Sequence, residues 1–363
     1  MTMRTSMIAC LAGIFAAGCG SGGASDGAAA HGDGGSPDAR ASSSSQEAGV
    51  SARPDAAGGA TTDAGSPGDA PGGGATDAEG GPPADAIRVV AYLPNYNGSY
   101  SDWATKIDFT TMTHLNLAFA TATTANGWDM GASDADVKAI VDAAHAAGTK
   151  VLASLGGGGG DQTVIAQYQD PSNVDALVAN LDAFVAAHGF DGVDVDIEDP
   201  SNLGADYTTF VDKTVATLRP EGKLVTAAVA QYLQDSMADA TLHAFDFLNV
   251  MIYSTYDDSV SALAYYSGTK GVPVGLLDLG AGFFGSDSAG NEYAYVDILA
   301  ADSTAWSKDQ AQVDGQTVTY TGMASMKKLA DYSKGFGGIM FWELTQDSPD
   351  PQYSLYKVIQ TSM

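Results

Sequence analysis

The chain has 363 residues, and 44 Asp and Glu against 16 Lys and Arg give it a formal net charge of −28 at pH 7. So acidic a surface repels nucleic acid and anionic lipid headgroups, and the expected partners are therefore neutral or cationic. Both cysteines, Cys10 and Cys19, precede residue 20, so the rest of the chain contains no disulfide.

The N-terminal segment has the pattern of an export signal. Arg4 precedes an apolar stretch of about eleven residues, which is too short to cross a bilayer, where about 20 are needed. The small residues before Cys19 resemble the bacterial lipoprotein cleavage box, with Ala16 where Leu is usual. We predict a signal peptide over residues 1–18, acylation of Cys19, and export to the outer membrane or cell surface. An ordinary secretory signal, which gives a secreted protein, is the alternative.

Residues 19–86 consist almost entirely of Gly, Ala, Ser, Asp, Pro and Thr. This segment has almost no large apolar side chains, so burial cannot offset the entropy lost on ordering. We predict a disordered tether that holds residues 87–363 away from a membrane surface. Those 277 residues carry 13 Lys and Arg against 34 Asp and Glu, a formal charge of −21.

Residues 87–363 alternate short apolar runs with segments of helical periodicity, which predicts parallel βα units. Eight strands are expected, and the length suits the roughly 250 residues of a (β/α)8 TIM barrel, an α/β fold. The predicted strands cover residues 88–93, 114–120, 150–155, 191–197, 223–229, 247–252, 272–279 and 337–342.

Helices are expected between the strands from their i, i+3, i+4 apolar spacing. Ser133 is predicted to open a helix that stops near Gly148, and Ser172 to cap a helix that ends before Gly189. A short helix is expected near residues 324–332, and a final one over residues 352–359.

The run at residues 190–198, Phe-Asp-Gly-Val-Asp-Val-Asp-Ile-Glu, is the most informative part of the chain. Alternation along a strand places Asp194, Asp196 and Glu198 on one face and apolar residues on the other. In a parallel barrel this acidic face points inward and towards the mouth, where barrel enzymes hold their active sites. Neighbouring carboxylates about 6.5 to 7 Å apart cannot all ionise cheaply in a dry pocket. The outermost, Glu198, is therefore expected to keep a proton and to donate it during glycosidic cleavage.

Two other interpretations of these acids stay open. In the first, the acids are solvated groups or helix caps at a strand end. In the second, the acids bind a hard cation. The outer two lie roughly 13 Å apart, so one ion cannot bridge them, and we expect no metal or other cofactor. The chain also has no His-Glu-x-x-His pattern for zinc and no Gly-x-Ser-x-Gly elbow for a serine hydrolase.

The run resembles the signature of glycoside hydrolase family 18, the chitinase family, in which an acid and Gly precede alternating acids that end in Glu. The residues that match are Asp191, Gly192, Asp194, Asp196 and Glu198, and no position is missing.

Two further segments resemble other signatures of this family. Ser154-Leu155-Gly156-Gly157 is similar to its Ser-x-Gly-Gly, and Ser154 is expected to bond to Asp194, although these glycines alone also fit a flexible loop. Met251-Ile252-Tyr253-Ser254 is similar to Met-x-Tyr-Asp. The resemblance implies that Met251 lines the pocket and that Tyr253 contacts the acetamido group, whereas plain core packing also explains both. Ser254 replaces an acid that helps to grip the sugar, which puts substrate preference in doubt.

Aromatic residues are expected to line the groove. The last predicted strand resembles the family's closing strand, which implies that Trp342 lies under the sugar at the cleavage point. Tyr92 occupies the matching place on the first strand. Tyr96, Tyr100 and Trp103 either extend the groove or pack inside the protein.

The resemblance covers the whole barrel and implies a retaining, substrate-assisted mechanism, in which the substrate's acetamido oxygen attacks its own anomeric carbon. Glu198 protonates the leaving oxygen and then activates water. Asp196 orients the acetamide, Asp194 shares the proton of Asp196, and Tyr253 holds the carbonyl.

We therefore expect a monomeric enzyme that cleaves β-1,4 bonds between N-acetylglucosamine units of chitin or chito-oligosaccharides. Besides the short helix near residues 324–332, only about 40 residues join the last two strands, where family members with deep tunnels carry a larger lobe, so a shallow groove and internal cutting of chains are expected. One alternative is an endo-β-N-acetylglucosaminidase acting on glycoprotein glycans. The other is a chitinase-like sugar-binding protein without catalysis.

Overall fold

The computed structural model of the protein describes residues 87–233 and 235–363. The predicted signal peptide over residues 1–18, the tether over 19–86 and the acylation of Cys19 lie outside the described residues. No helix in the described part of the chain is both long and apolar enough to span a bilayer.

The strands of the described residues are short, and most of them belong to one sheet. In chain order they are β1 (Arg88–Pro94), β2 (His114–Ala122), β3 (Trp128–Asp129), β4 (Lys150–Gly157), β5 (Gly192–Ile197), β6 (Leu224–Ala230), β7 (Leu248–Met251), β8 (Leu277–Gly282), β9 (Phe284–Ser286), β10 (Glu292–Ala294), β11 (Gln310–Val313), β12 (Gln316–Tyr320) and β13 (Gly338–Trp342).

Eight of these strands run parallel in the order β1, β2, β4, β5, β6, β7, β8 and β13, and pairing of β13 with β1 closes the sheet. The two-residue strand β3 adds to β2 in the antiparallel direction. This arrangement confirms the predicted (β/α)8 barrel.

Helices connect the strands of the barrel and flank it. They are α1 (Tyr100–Ala104), α2 (Asp134–Ala146), α3 (Gln162–Gln169), α4 (Val174–His188), α5 (Ala205–Leu218), α6 (Asp239–Leu242), α7 (Tyr256–Gly268), α8 (Tyr295–Ala301), α9 (Met323–Ser333) and α10 (Leu355–Ser362).

Local sequence signals predicted two helix ends correctly and one wrongly. Ser133 caps α2 by accepting from the Asp136 N–H, and Gly189 ends α4 with a left-handed φ of 72°, as predicted. The prediction that Ser172 caps α4 was wrong, because the N-cap is Asn173. The Ser172 hydroxyl instead donates to the carboxylate of Asp170, which forms its own turn and thus removes that hydroxyl from the helix end.

Two predicted starts also moved by three residues or more. The seventh barrel strand begins at Leu277 rather than at residue 272, because Pro273 lacks an N–H for the ladder and a 3-10 turn, Val274–Leu276, follows it. The last helix begins at Leu355 rather than at 352, where Ser354 caps it by accepting from the Lys357 N–H.

The barrel strand β5 shows how the acids come to face inward. Val193, Val195 and Ile197 are fully buried in the main apolar cluster, which also contains Leu181 and Phe210 from the helices. The intervening acids therefore point into the barrel. A second, smaller apolar cluster of Val90, Tyr92, Ala118, Phe247 and Met340 is separate from the first.

Between β8 and α9 the chain forms a small lobe that the sequence analysis did not predict. Its antiparallel sheet has the order β10, β9, β12 and β11, and α8 lies between β10 and β11 in the chain. Strands of three to five residues are too short to show a readable alternation of apolar and polar residues. The connection has the expected length, but it is folded.

Candidate active site

The carboxyl ends of the eight barrel strands meet at one mouth, and β5 delivers its acids there. Asp194, Asp196 and Glu198 are 0%, 3% and 9% exposed, so all three carboxyl groups are buried. They follow one another from the barrel interior towards the mouth, and each has a different set of partners.

Asp194, the innermost, accepts four hydrogen bonds from four different strands. Tyr92 Oη (2.7 Å) and Ser154 Oγ (3.0 Å) donate to Oδ2, whereas Thr226 Oγ1 (2.7 Å) and Asn249 Nδ2 (3.1 Å) donate to Oδ1. Burial raises the pKa of Asp194, and the four donated hydrogen bonds oppose that rise. Since both oxygens are saturated by donors, the structure favours the ionised carboxylate here. The expected bond from Ser154 is present, but Asp194 and Asp196 share no hydrogen bond among the described contacts.

Asp196, one step nearer the mouth, makes no side-chain hydrogen bond to any described residue, and its Oδ1 is buried without a partner. Burial raises the pKa of Asp196 well above its usual range, and the charges of Glu198 and Asp194 add to the rise. Charge repulsion within the row therefore acts most strongly on Asp196, which favours its protonated form before substrate binds.

Glu198, the outermost, has one described hydrogen-bond donor, the phenol of Tyr232, which lies 2.9 Å from Oε2. Burial raises the pKa of Glu198, the Tyr232 bond lowers it, and the charge of Glu292 raises it. Acidic neighbours were expected to keep the proton on Glu198, whereas burial is the larger cause of its raised pKa.

Tyr232 and Glu292 were missed from the sequence. Tyr232 follows the end of β6 by two residues, at the mouth of the barrel, so its position was a usable signal. Glu292 lies on β10 of the lobe and could not be placed, because β10 itself was not predicted.

Tyr253 and Met251 lie beside the carboxyl row. Burial raises the pKa of Tyr253 well above its usual range, and the charges of Asp196 and Glu198 contribute next, so the phenol lies within electrostatic range of both. Its hydroxyl lies 3.8 Å from the Met340 sulfur. Met251 and Tyr253 are partly buried and pack against the smaller apolar cluster, so the site role and the packing role coincide.

Ser254 does not hydrogen-bond to the carboxyl row. Its hydroxyl donates to Asp258 Oδ2 at 2.6 Å, beside the capping box that Thr255 and Asp258 form at the start of α7. The side chain that stands in the place of the family's acid therefore bonds at the start of α7 and not to the carboxyl row.

The aromatic floor contains Trp342, Tyr92 and one residue that was not predicted. The Trp342 ring stacks on Phe119 with centroids 5.6 Å apart and planes inclined by 19°, and it meets Tyr92 at 5.6 Å. Of the loop aromatics, Tyr100 is fully buried and packs in the core, and Trp103 is half-buried. Only Tyr96 of the three, 55% exposed, is free to extend the groove.

The Gly-Gly pair after Ser154 is required by close packing. Gly156 and Gly157 have φ of 106° and 96°, which strain any residue with a Cβ. A Cβ at Gly156 would collide with the Asp196 carbonyl oxygen, and one at Gly157 would collide with the Phe119 ring. The pair thus lets β4 lie close to the acidic strand and to the aromatic floor.

A cleft of about 820 Å³ opens beside Tyr253, between the start of α7 and the lobe. Tyr256, Phe284, Thr319 and Lys328 are among its lining residues. Within residues 87–233 and 235–363, no three His, Cys, Asp or Glu side chains lie where they could together hold a metal ion.

Comparisons with known proteins find chains of similar sequence and fold. A GH18 chitinase from the chitin utilization locus of Flavobacterium johnsoniae superimposes with a TM-score of 0.68 and 27% identity, over 77% of this chain and 94% of that one. A chitinase-like effector of Moniliophthora roreri is 31% identical over 131 residues, 36% of this chain and 32% of that protein. Exochitinase 1 of Streptomyces olivaceoviridis is 39% identical over 79 residues, which are 22% of this chain and 13% of that protein.

The matched segments thus span less than two thirds of the length of these two relatives. The family profile described as glycosyl hydrolases family 18 matches residues 88–347, which include all eight strands of the barrel. The chain belongs to family 18 of the glycosyl hydrolases.

Proposed function

We propose that the protein hydrolyses β-1,4 bonds between N-acetylglucosamine units of chitin or chito-oligosaccharides, with retention of configuration. The observation that carries this proposal is the pairing of a buried, unpartnered Asp196 oxygen with a buried Glu198 at the mouth of the barrel. A carboxyl that cannot find a partner within the protein is suited to a polar group brought by the substrate.

The chemistry divides between substrate and protein. The acetamido oxygen attacks the anomeric carbon, the bond to the leaving sugar breaks, and the Glu198 proton passes to the departing oxygen. Water then attacks the same carbon and gives its proton back to Glu198, which restores the acid. The product keeps the configuration of the substrate, because the carbon is inverted twice.

Asp196 is assigned to the acetamide. Its free Oδ1 accepts the substrate N–H, which orients the acetamido oxygen. Because a donated N–H favours the ionised form, substrate binding releases the Asp196 proton to water, and the resulting carboxylate stabilises the cationic ring that forms. Until substrate binds, the fixed anion of Asp194 behind it favours retention of the Asp196 proton. Tyr253 is assigned to the acetamido carbonyl, to which its hydroxyl donates once it leaves the Met340 sulfur.

The groove is assigned to a neutral sugar polymer, which we expect to be cut at internal bonds. Tyr96 and Tyr232, 55% and 42% exposed, leave aromatic surface open to solvent. Such flat side chains suit the apolar faces of pyranose rings in a neutral polymer. The formal charge of −21 over residues 87–363 disfavours anionic polymers, which supports a neutral glycan.

The substrate test uses chitin hexamer and a high-mannose glycoprotein in parallel. We expect the hexamer to be cut at internal bonds, so that trimer and tetramer appear before monomer, and the first product to have the β configuration by NMR. Release of intact glycans without hexamer cleavage would favour the endo-β-N-acetylglucosaminidase alternative. Binding of the hexamer without any product would favour the sugar-binding alternative.

Replacing Trp342 by Ala should lower kcat/KM on chito-oligosaccharides by about 10- to 100-fold, mainly through KM, since the sugar loses the aromatic floor. Trp306→Ala is the matched control, because Trp306 is 40% exposed and its ring is paired with Tyr353, not with the floor. Steady-state kinetics give kcat and KM for both variants and thus test the assignment of Trp342. Equal losses in the two, or none in Trp342→Ala, would contradict the assignment.

A further inference from the structure

The two oxygens of Glu198 are not equivalent in this structure. Oε2 accepts the hydrogen bond from Tyr232 at 2.9 Å, whereas Oε1 receives no hydrogen bond from any described residue. A carboxylic acid carries its proton on one oxygen and accepts best on the other. The Tyr232 contact therefore distinguishes the oxygen that accepts from the oxygen that carries the proton.

Tyr232 is held in place from both sides. It lies in the 3-10 turn Gln231–Leu233 after β6. On one side the buried hydroxyl of Tyr266 donates to the Ala230 carbonyl at 2.8 Å. On the other, Leu233 is fully buried and Tyr265 donates to Asp235 at 3.0 Å. The phenol of Tyr232 thus reaches Glu198 from a turn that is anchored to α7 and the core.

We propose that Tyr232 is a positioning residue whose hydroxyl occupies Oε2 of Glu198, so that the acid holds its proton on Oε1, the oxygen left free for the leaving group. The proposal rests on the proposed function, since it concerns the orientation of the acid in that reaction. Tyr232 itself transfers no proton, and the proton still passes from Glu198 Oε1 to the glycosidic oxygen.

The contact has a consequence for pH. A hydroxyl that donates to a carboxylate stabilises the ionised form, so loss of the Tyr232 hydroxyl should raise the pKa of Glu198 further. The other groups that act on Glu198 are Asp196 on the same strand, Glu292 on β10 and Tyr253 after β7. All of these stay unchanged in Tyr232→Phe. Because the acid must be protonated to act, the falling limb of the kcat/KM profile should move to higher pH.

The kinetic test is Tyr232→Phe, which keeps the ring and removes only the hydroxyl. We expect kcat at the pH optimum to fall by about 10-fold with little change in KM, and the falling limb to move up by about one pH unit. Tyr353→Phe, whose half-buried ring is paired with Trp306, is the matched control. An unchanged kcat together with an unmoved limb would overturn the proposal.

A second measurement does not need turnover. The chain contains six glutamates, Glu47, Glu79, Glu198, Glu221, Glu292 and Glu343, so selective labelling with carboxyl-13C glutamate gives few signals, and Glu198→Gln assigns the relevant one. The titration midpoint of Glu198 should be higher in Tyr232→Phe than in the parent chain. An equal midpoint would refute the contact even in an active enzyme. A parent chain without turnover would refute the proposed function, while this titration still reports on the contact.

Discussion

Replacing Glu198 by Gln should lower kcat on chitin hexamer by about 10²- to 10⁴-fold while leaving KM nearly unchanged. The amide has the size of the acid and its oxygen can still accept the Tyr232 hydroxyl, so the fold and the contact are preserved. What is lost is the proton for the leaving oxygen and the base for water. Rates are measured by separating hexamer products over time.

The matched control for this variant is Glu221→Gln. Glu221 is exposed, in the 3-10 turn Arg219–Glu221 that precedes β6, and therefore lies at the end of the barrel opposite the mouth. We expect its kinetics to equal those of the parent chain. Hexamer cleavage by Glu198→Gln at the parent rate would remove the enzymatic proposal altogether.

Replacing Arg88 by Met should lower the free energy of unfolding by about 3–5 kcal/mol, because it leaves a buried charge without its partner. Arg88 Nη2 and Nε donate to the Asp278 carboxylate at 2.8 to 3.1 Å, and Asp278 is fully buried. The Arg88 guanidinium also lies 4.5 Å from the centre of the Phe247 ring. Urea unfolding followed by circular dichroism measures the loss.

The sign of the pH dependence gives this prediction a second test. Burial raises the pKa of Asp278, and Arg88 opposes the rise. Without Arg88 the folded pKa lies further above the unfolded one, so the folded state binds the proton more tightly. The destabilisation of Arg88→Met should therefore shrink as pH falls and grow as pH rises through the folded pKa.

Two further variants complete the Arg88 experiment. Arg88→Met combined with Asp278→Asn should recover part of the lost stability at neutral pH, because no charge is then buried. Arg219→Met breaks a more exposed pair with Asp246 and should cost only about 0–1 kcal/mol. Equal losses in Arg219→Met and Arg88→Met would show that burial of Asp278 is not the cause.

The barrel and its acidic strand were readable because two independent patterns agree there. Alternation puts Val193, Val195 and Ile197 on the helix side, and so Asp194 and Asp196 had only the interior left to face. Ser154 was placed opposite Asp194 on the neighbouring strand, and the two are register partners. The strand order, the alternation of apolar and acidic residues, and the Gly-Gly pair all predicted the same geometry.

What the sequence did not disclose depends on contacts made between distant segments or on competition between local ones. Phe119 joins the floor only because β2 and β13 bring it under Trp342, which no local pattern encodes. Ser254 stands in the place of an acid that helps to grip the sugar, but Asp258 lies one helical turn later and accepts its hydroxyl. The lobe that carries Glu292 is built from strands too short to show a period.

The four donors that surround Asp194 come from the first, third, fifth and sixth strands of the barrel, so a single anion is solvated by parts of the chain up to 157 residues apart. No fragment that lacks one of these strands can complete that solvation shell. The surroundings of Asp194 are therefore complete only when these four strands and β5 lie together in one barrel. Proteolysis that cuts the barrel and releases a strand should leave fragments with no activity, not fragments with weak activity.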